Sequence, residues 1–237
     1  MRYLLEVKEL EVSYGEARAL NGVSFGVAAG SLLAIVGSNG AGKTSLVKSI
    51  GGMLRPKSGQ ILFDGTDATN FESSATCELG IGQVAEGRQI FPSLSVEENL
   101  VLGAALKRAA ARRKDNFARV YEMFPRLKER RDQKAGTLSG GEQQMLAIGR
   151  CLMGEPRLIM FDEPSLGLSP VMVELVFAAI VALKTSGLTI LLIEQNVSES
   201  LEIADFAAVL ENGAVALTGS AADLGKDERV RSAYLGL

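Results

Sequence analysis

Gly37-Ser38-Asn39-Gly40-Ala41-Gly42-Lys43-Thr44 lies between an apolar run, Leu32-Leu33-Ala34-Ile35-Val36, and a helix-forming run from Ser45 to Leu54. A strand, a glycine-rich loop and a helix in that order form a cradle for phosphate. Gly37, Gly40 and Gly42 let the backbone curl without Cβ clashes, so that successive N–H groups turn inward toward anionic oxygens. The helix that follows adds the positive end of its dipole. Lys43 is spaced to reach the β and γ phosphates, and the Thr44 hydroxyl to ligate Mg²⁺. The stretch predicts a nucleoside-triphosphate site.

The surrounding chain bounds what that site serves. Its 237 residues suffice for one large domain, or for a core with an inserted subdomain. A net charge of −3 gives no whole-chain reason to expect nucleic acid as a partner. A basic excess from Lys107 to Lys134 is local, and reads as a solvated helical face or a surface toward anionic lipid head groups. Cys77 and Cys151 do not make a disulfide framework, and with no histidine in the chain a Cys/His zinc site is excluded. The first residues, Met1 to Lys8, read as an edge strand, because charges interrupt them before a signal-peptide core forms. No apolar run approaches the roughly 20 residues a membrane-crossing helix needs. Any path through a membrane must come from other chains.

Taken in order, residues 4–12 and 22–28 alternate as antiparallel strands, with Tyr14-Gly15 as a turn near the nucleotide. Residues 31–36 form a buried strand and 43–54 a helix, which Arg55-Pro56-Lys57-Ser58-Gly59 stops. Gln60 to Phe63 returns as a strand, and Leu79 to Val84 is another. Ser95-Val96-Glu97-Glu98 has the capping-box pattern of a helix start. From there the pattern is helical, so residues 95–154 are expected to form an inserted helical subdomain. Residues 1–94 and 155–237 are expected to form an α/β core. In that core, strand 157–161, helix 171–185, strand 188–194, helix 197–204 and strand 206–210 alternate.

Two further constellations bear on chemistry. Asp162-Glu163 ends an apolar strand, and in a parallel α/β sheet chemistry gathers at the carboxyl ends of strands. Asp162 is expected to hold Mg²⁺ and Glu163 to orient or deprotonate the attacking water. Leu138-Ser139-Gly140-Gly141-Glu142-Gln143-Gln144 opens another helix, whose serine and glycines make a second anion site.

GSNGAGKT, LSGGEQQ and RLIMFDEP, in this order and spacing, resemble the ATP-binding cassette (ABC) ATPases across nearly the whole chain. The resemblance implies a P-loop core with an N-terminal antiparallel β subdomain and a helical insertion, with ATP and Mg²⁺ as ligands. It implies nucleotide contacts from Tyr14, Gly37, Ser38, Asn39, Gly40, Ala41, Gly42, Lys43, Thr44 and Ser45. It also implies a head-to-tail dimer with an identical or different ATPase. There Leu138, Ser139, Gly140, Gly141 and Glu142 of one subunit close on the γ-phosphate held by the other.

AEGR (85–88), YEMFPRL (121–127), GTLSGGEQQMLAIGR, DEPSLGLSP, IEQN and the terminal VRSAYLG resemble, more narrowly, the smaller ATP-binding subunit of bacterial branched-chain amino acid importers. That implies a peripheral position on the cytoplasmic face of the inner membrane, two integral membrane permease subunits, and indirectly an extracytoplasmic solute-binding protein. Importers of urea and short amides use similar subunits. A soluble cassette acting on DNA or ribosomes and a non-hydrolysing scaffold are the competing classes.

Three positions depart from the general cassette pattern. Counting back from Pro92, Glu86 falls where a glutamine is usual, with Gln83 inside the preceding strand. Glu86 therefore takes the role near Mg²⁺. Gln195 replaces the usual switch histidine, and can bond the γ-phosphate but carries no proton at neutral pH. The loop Ser165-Leu166-Gly167-Leu168 lacks the usual aspartate.

Overall fold

The computed structural model describes residues 2–232, so the last residues of the VRSAYLG segment lie outside the described residues. Its strands form two sheets. In the first, β1 (Tyr3–Tyr14) pairs antiparallel with β2 (Ala17–Ala28) and with β4 (Ser58–Phe63), which also pairs with β5 (Thr66–Asp67). The second has the order β10-β9-β3-β8-β7-β6, from β3 (Leu32–Val36), β6 (Ile81–Val84), β7 (Leu158–Asp162), β8 (Thr189–Glu194), β9 (Phe206–Glu211) and β10 (Ala214–Ser220). Its neighbours pair in parallel except β9 and β10.

The continuous apolar runs of the central strands follow from burial on both faces. Along β3, Leu32, Ala34 and Val36 belong to one core and Leu33 and Ile35 to another, because successive side chains point to opposite faces. The same alternation divides Ile159 and Phe161 from Leu158 and Met160 in β7. One core lies between the mixed sheet and the antiparallel sheet and also takes Leu46, Val47 and Ile50 of α1 (Lys43–Ile50). The other takes α3 (Val96–Gly103), α4 (Arg113–Met123), α5 (Pro125–Glu129), α6 (Gly140–Leu152), α7 (Pro170–Thr185) and α8 (Val197–Ile203). Each fully buried Leu or Ile contributes about 1.5–3 kcal/mol.

Several boundaries differ from the sequence expectation. α1 ends at Ile50 rather than Leu54, and the chain turns through Gly52 at φ 70°. Leu79 ends a helix, α2 (Ser73–Leu79), instead of starting a strand; Gly80, left-handed at φ 107°, stops it and β6 begins at Ile81. β2 starts at Ala17, so the first hairpin is longer and tighter than residues 22–28 implied. β10 is an additional strand, joined to β9 through Asn212-Gly213, both at positive φ.

Candidate functional site: a phosphate loop facing an acid pair

Parallel register brings the chemistry to one edge. Val36 pairs with Glu194, Asp162 with Ile193, and Val84 with Phe161. The residues just beyond, the loop from Gly37, Glu163, Gln195 and the segment to Glu86, therefore emerge side by side at the carboxyl ends of their strands. A cavity of about 620 Å³ lies there. Its walls include Ser38, Asn39, Gly40, Gly42, Lys43, Thr44, Ser45, Glu86, Glu163 and Gln195.

The glycines are required by close approach. A Cβ on Gly37 would run into the Leu210 carbonyl, and one on Gly42, at φ 107°, would stand 2.7 Å from the Ala19 carbonyl oxygen. The β9–β10 turn clamps the loop from outside, with Gly213 N donating to Ala41 O at 2.9 Å and Asn21 N to Gly213 O at 2.8 Å. Lys43 is buried, and its Nζ donates to the carbonyl oxygens of Gly37 at 2.7 Å and Ser38 at 3.1 Å. The same ammonium is 3.2 Å from Glu163 Oε1, so the phosphate-loop lysine and the acid after β7 form an ion pair. Glu163 itself is left-handed at φ 47°.

Asp162 is 4% exposed, and its Oδ1 is buried without a hydrogen-bond partner. Burial, then the charges of Glu163 and Glu86, push its pKa up to about 6. An orphaned carboxylate oxygen among like charges fits a divalent cation completed by phosphate and water oxygens; Thr44 lines the cavity wall, whereas Asp162 is not among its lining residues. The raised pKa also sets a stability test. Ionised Asp162 disfavours the folded state above its unfolded pKa near 3.8, and the penalty grows as pH rises to about 6, then stays constant. Asp162→Asn is expected to raise the nucleotide-free melting temperature at pH 7.5, by up to about 3 kcal/mol in stability. The advantage over wild type should shrink as pH falls from 6 toward 4, as thermal unfolding across pH will show.

Some expected contacts lie elsewhere. Tyr14 is 51% exposed at the end of β1 and outside the cavity wall, its Oη 3.5 Å from Ser45 Oγ. Gly37 and Ala41 shape the loop from behind. Gln83 lines a different groove, with Gln89, Phe91 and Arg150, whereas Glu86 shares the wall of this cavity with Lys43 and Glu163. Ser139, Gly140, Gly141 and Glu142 start α6, and neither they nor Leu138 line this cavity. Ser139 caps α6 in a capping box, its Oγ accepting from Glu142 N at 3.4 Å while its own N donates to Glu142 Oε2 at 2.9 Å. Partial burial opposes it, but the Ser139 hydrogen bonds and the Arg130 charge hold the Glu142 carboxyl below its ordinary pKa.

Five wall residues, Arg18, Ala19, Leu166, Asn212 and Gly213, were not expected from sequence. Arg18 and Leu166 carry no motif that marks them. Asn212-Gly213 is a strong hairpin dipeptide, so the turn was findable though its place at the cavity was not.

A phosphate loop after β3, an acid pair at the end of β7 and a capped glycine helix start define a P-loop nucleoside-triphosphatase cassette. Residues 20–166 match the ABC transporter family, to which the chain belongs; it binds and hydrolyses ATP. It is 43% identical to the high-affinity branched-chain amino acid transport ATP-binding protein BraG of Pseudomonas aeruginosa, over 98% of this chain and 100% of that protein. It is 38% identical to the probable branched-chain amino acid transport ATP-binding protein LivF of Archaeoglobus fulgidus, over 99% of each. It is 32% identical to the lipopolysaccharide export system ATP-binding protein LptB of Escherichia coli, over 98% of this chain and 97% of that one. A solved ATP-binding cassette of an ABC transporter in its ADP conformation superposes with a TM-score of 0.85 at 30% identity, covering 100% of both chains.

Proposed function

We propose that this chain is one of two ATPase subunits of an importer for branched-chain amino acids. It sits on the cytoplasmic face of the inner membrane and drives two separate permease subunits, supplied by an extracytoplasmic solute-binding protein. The two branched-chain relatives, at 43% and 38% identity over nearly the full length, support the solute class. No helix among the described residues is long and apolar enough to cross a membrane, which fits a subunit that works through other chains.

The observation that carries the mechanism is the separation of the two anion sites. Lys43 lines one cavity, while Ser139 lines another, of about 830 Å³, between α4, α5, α6 and α7. Ser139 and Gly141, framed by Leu138, Gly140 and Glu142, therefore serve a nucleotide held by a second ATPase, identical or different. ATP supplies the charge that joins the two subunits, and hydrolysis removes it. Residues 95–154 act in this cycle as a helical subdomain moving against 1–94 and 155–237.

Within one chain, backbone N–H groups between Gly37 and Ser45 cradle the phosphates, and Lys43 leaves its carbonyl and Glu163 partners to bind them. The Tyr14 ring stacks on the base. Thr44 and Asp162, with Glu86 nearby, would hold Mg²⁺, which would supply positive charge against the phosphates. Glu163 orients and deprotonates the attacking water, and Gln195 donates to the γ-phosphate through its amide. Glu86 repels phosphate where a glutamine would not, so a fuller partner ATPase leaves one strong and one weak site.

Identity to LptB favours a second reading, an ATPase that drives export. Uptake in cells deleted for this chain separates the two. Labelled leucine, isoleucine and valine uptake should fall and recover on complementation. Normal uptake of all three, with a defect in urea uptake or in export of envelope lipid, would contradict the importer for branched-chain amino acids.

A further inference from the structure

β8 ends in a carboxylate that the catalytic reading leaves unused. Glu194 is 2% exposed, and among the described residues no lysine or arginine pairs with it. Its partners are backbone amides on two different loops, together with the Ser165 side chain. Oε1 accepts from Ser165 N at 3.0 Å, and Oε2 accepts from Gln195 N at 3.2 Å. Burying a carboxylate with no cation beside it is costly, and an apolar side chain would fill the end of β8 without that cost. The loop that follows Asp162 explains its presence. Glu163 N donates to Ile193 O at 2.9 Å, Pro164 has no N–H, and Ser165 N reaches Glu194. Every N–H of residues 163–165 is thus held by the last two residues of β8. Between those anchors Glu163 keeps a left-handed φ of 47°, a conformation a non-glycine residue holds only when its surroundings enforce it.

We propose that Glu194 is a positioning residue for ATP hydrolysis: its one carboxylate fixes the loop carrying Glu163 and the backbone of Gln195 in a single geometry. The inference rests on the roles proposed above for Glu163 and Gln195. It adds a route between them and the outside of the subunit. Leu166, 54% exposed, lines the nucleotide cavity directly after Ser165. A second subunit that presses on Leu166 shifts Ser165, and through Glu194 shifts Gln195.

The test uses the full chain, with its partner subunits where turnover requires them, carrying Glu194→Gln or Glu194→Ala. Gln keeps the shape and one acceptor oxygen but sets an NH₂ group against the second amide; Ala removes both acceptors. Affinity for a fluorescent ATP analogue should stay within about twofold. The kcat should fall about tenfold for Gln and about 100-fold for Ala with KM unchanged, the scale of a misplaced reacting group. Amide exchange at Ser165 and Gln195 should quicken. A kcat within twofold of wild type in both variants overturns the proposal. So does a kcat loss in Glu194→Gln matched by an equal loss of nucleotide-binding sites, which marks a folding residue instead. Glu163→Gln is assayed alongside. If it stalls while the Glu194 variants turn over normally, only the role of Glu194 falls. If it turns over like wild type, the proposed base itself falls, and the Glu194 role with it.

Discussion

Glu163→Gln should lower ATP hydrolysis by about 10²–10³-fold while leaving ATP binding intact, the scale expected for loss of a general base. The substitution is isosteric, and the side chain stands at the cavity wall with its Oε1 3.2 Å from Lys43 Nζ. A carboxamide oxygen can still accept from the ammonium, so the loop is not released. What is lost is the ability to take a proton from water. Removing one negative charge beside Asp162 and Glu86 also eases the approach of the γ-phosphate, so affinity should hold or rise. Phosphate release by the reconstituted complex, measured with nucleotide binding on the same preparation, checks both halves. Unchanged turnover would remove Glu163 from the mechanism.

Lys43→Ala should act on binding itself. The ammonium is one of two cations in the cavity wall, with Arg18, and it touches Gly37 O, Ser38 O and Glu163. Its loss leaves Glu163 unpaired beside Asp162, which already sits among like charges. ATP would then bring its phosphates to a site with an uncompensated acid cluster. Charge-assisted bonds are worth about 1.5–3 kcal/mol each, and one such loss already weakens affinity by about tenfold to 100-fold. Titration calorimetry should show a fall of about 100-fold or more. Lys43→Arg should not restore it, because a planar guanidinium does not fit a cradle closed by Gly37 and Ser38 carbonyls. A dissociation constant within threefold of wild type would contradict the cradle.

The nucleotide site was legible because its parts are contiguous. The glycines before Lys43 sit between a strand and a helix, and Asp162-Glu163 closes an apolar run; each is a local pattern with a physical cause. Spacing alone points to Glu86 over Gln83, and the cavity wall includes Glu86 while Gln83 lines another groove. Arg18 and Leu166 were invisible because the fold, not a motif, brings them to the phosphate loop. The same holds for Glu194, an acid at the end of an apolar strand whose partners lie on the loop after β7 and at its own neighbour. Short α2 was missed because Ser73–Leu79 has too few apolar positions to show a helical period, and Leu79 joins visually to the run from Ile81. α1 stops early because Gly51 and Gly52 let the chain leave the helix, although the residues through Leu54 continue its apolar pattern.

The role proposed for this chain, powering a transporter through partner subunits, is tested directly by purification from native membranes. The chain is affinity-captured after gentle solubilisation and every co-purifying protein identified. Two polytopic membrane proteins and a second cassette ATPase in stoichiometric amounts are the predicted result. Recovery of soluble or nucleic-acid-associated partners alone would contradict the transport claim while leaving the ATP site intact.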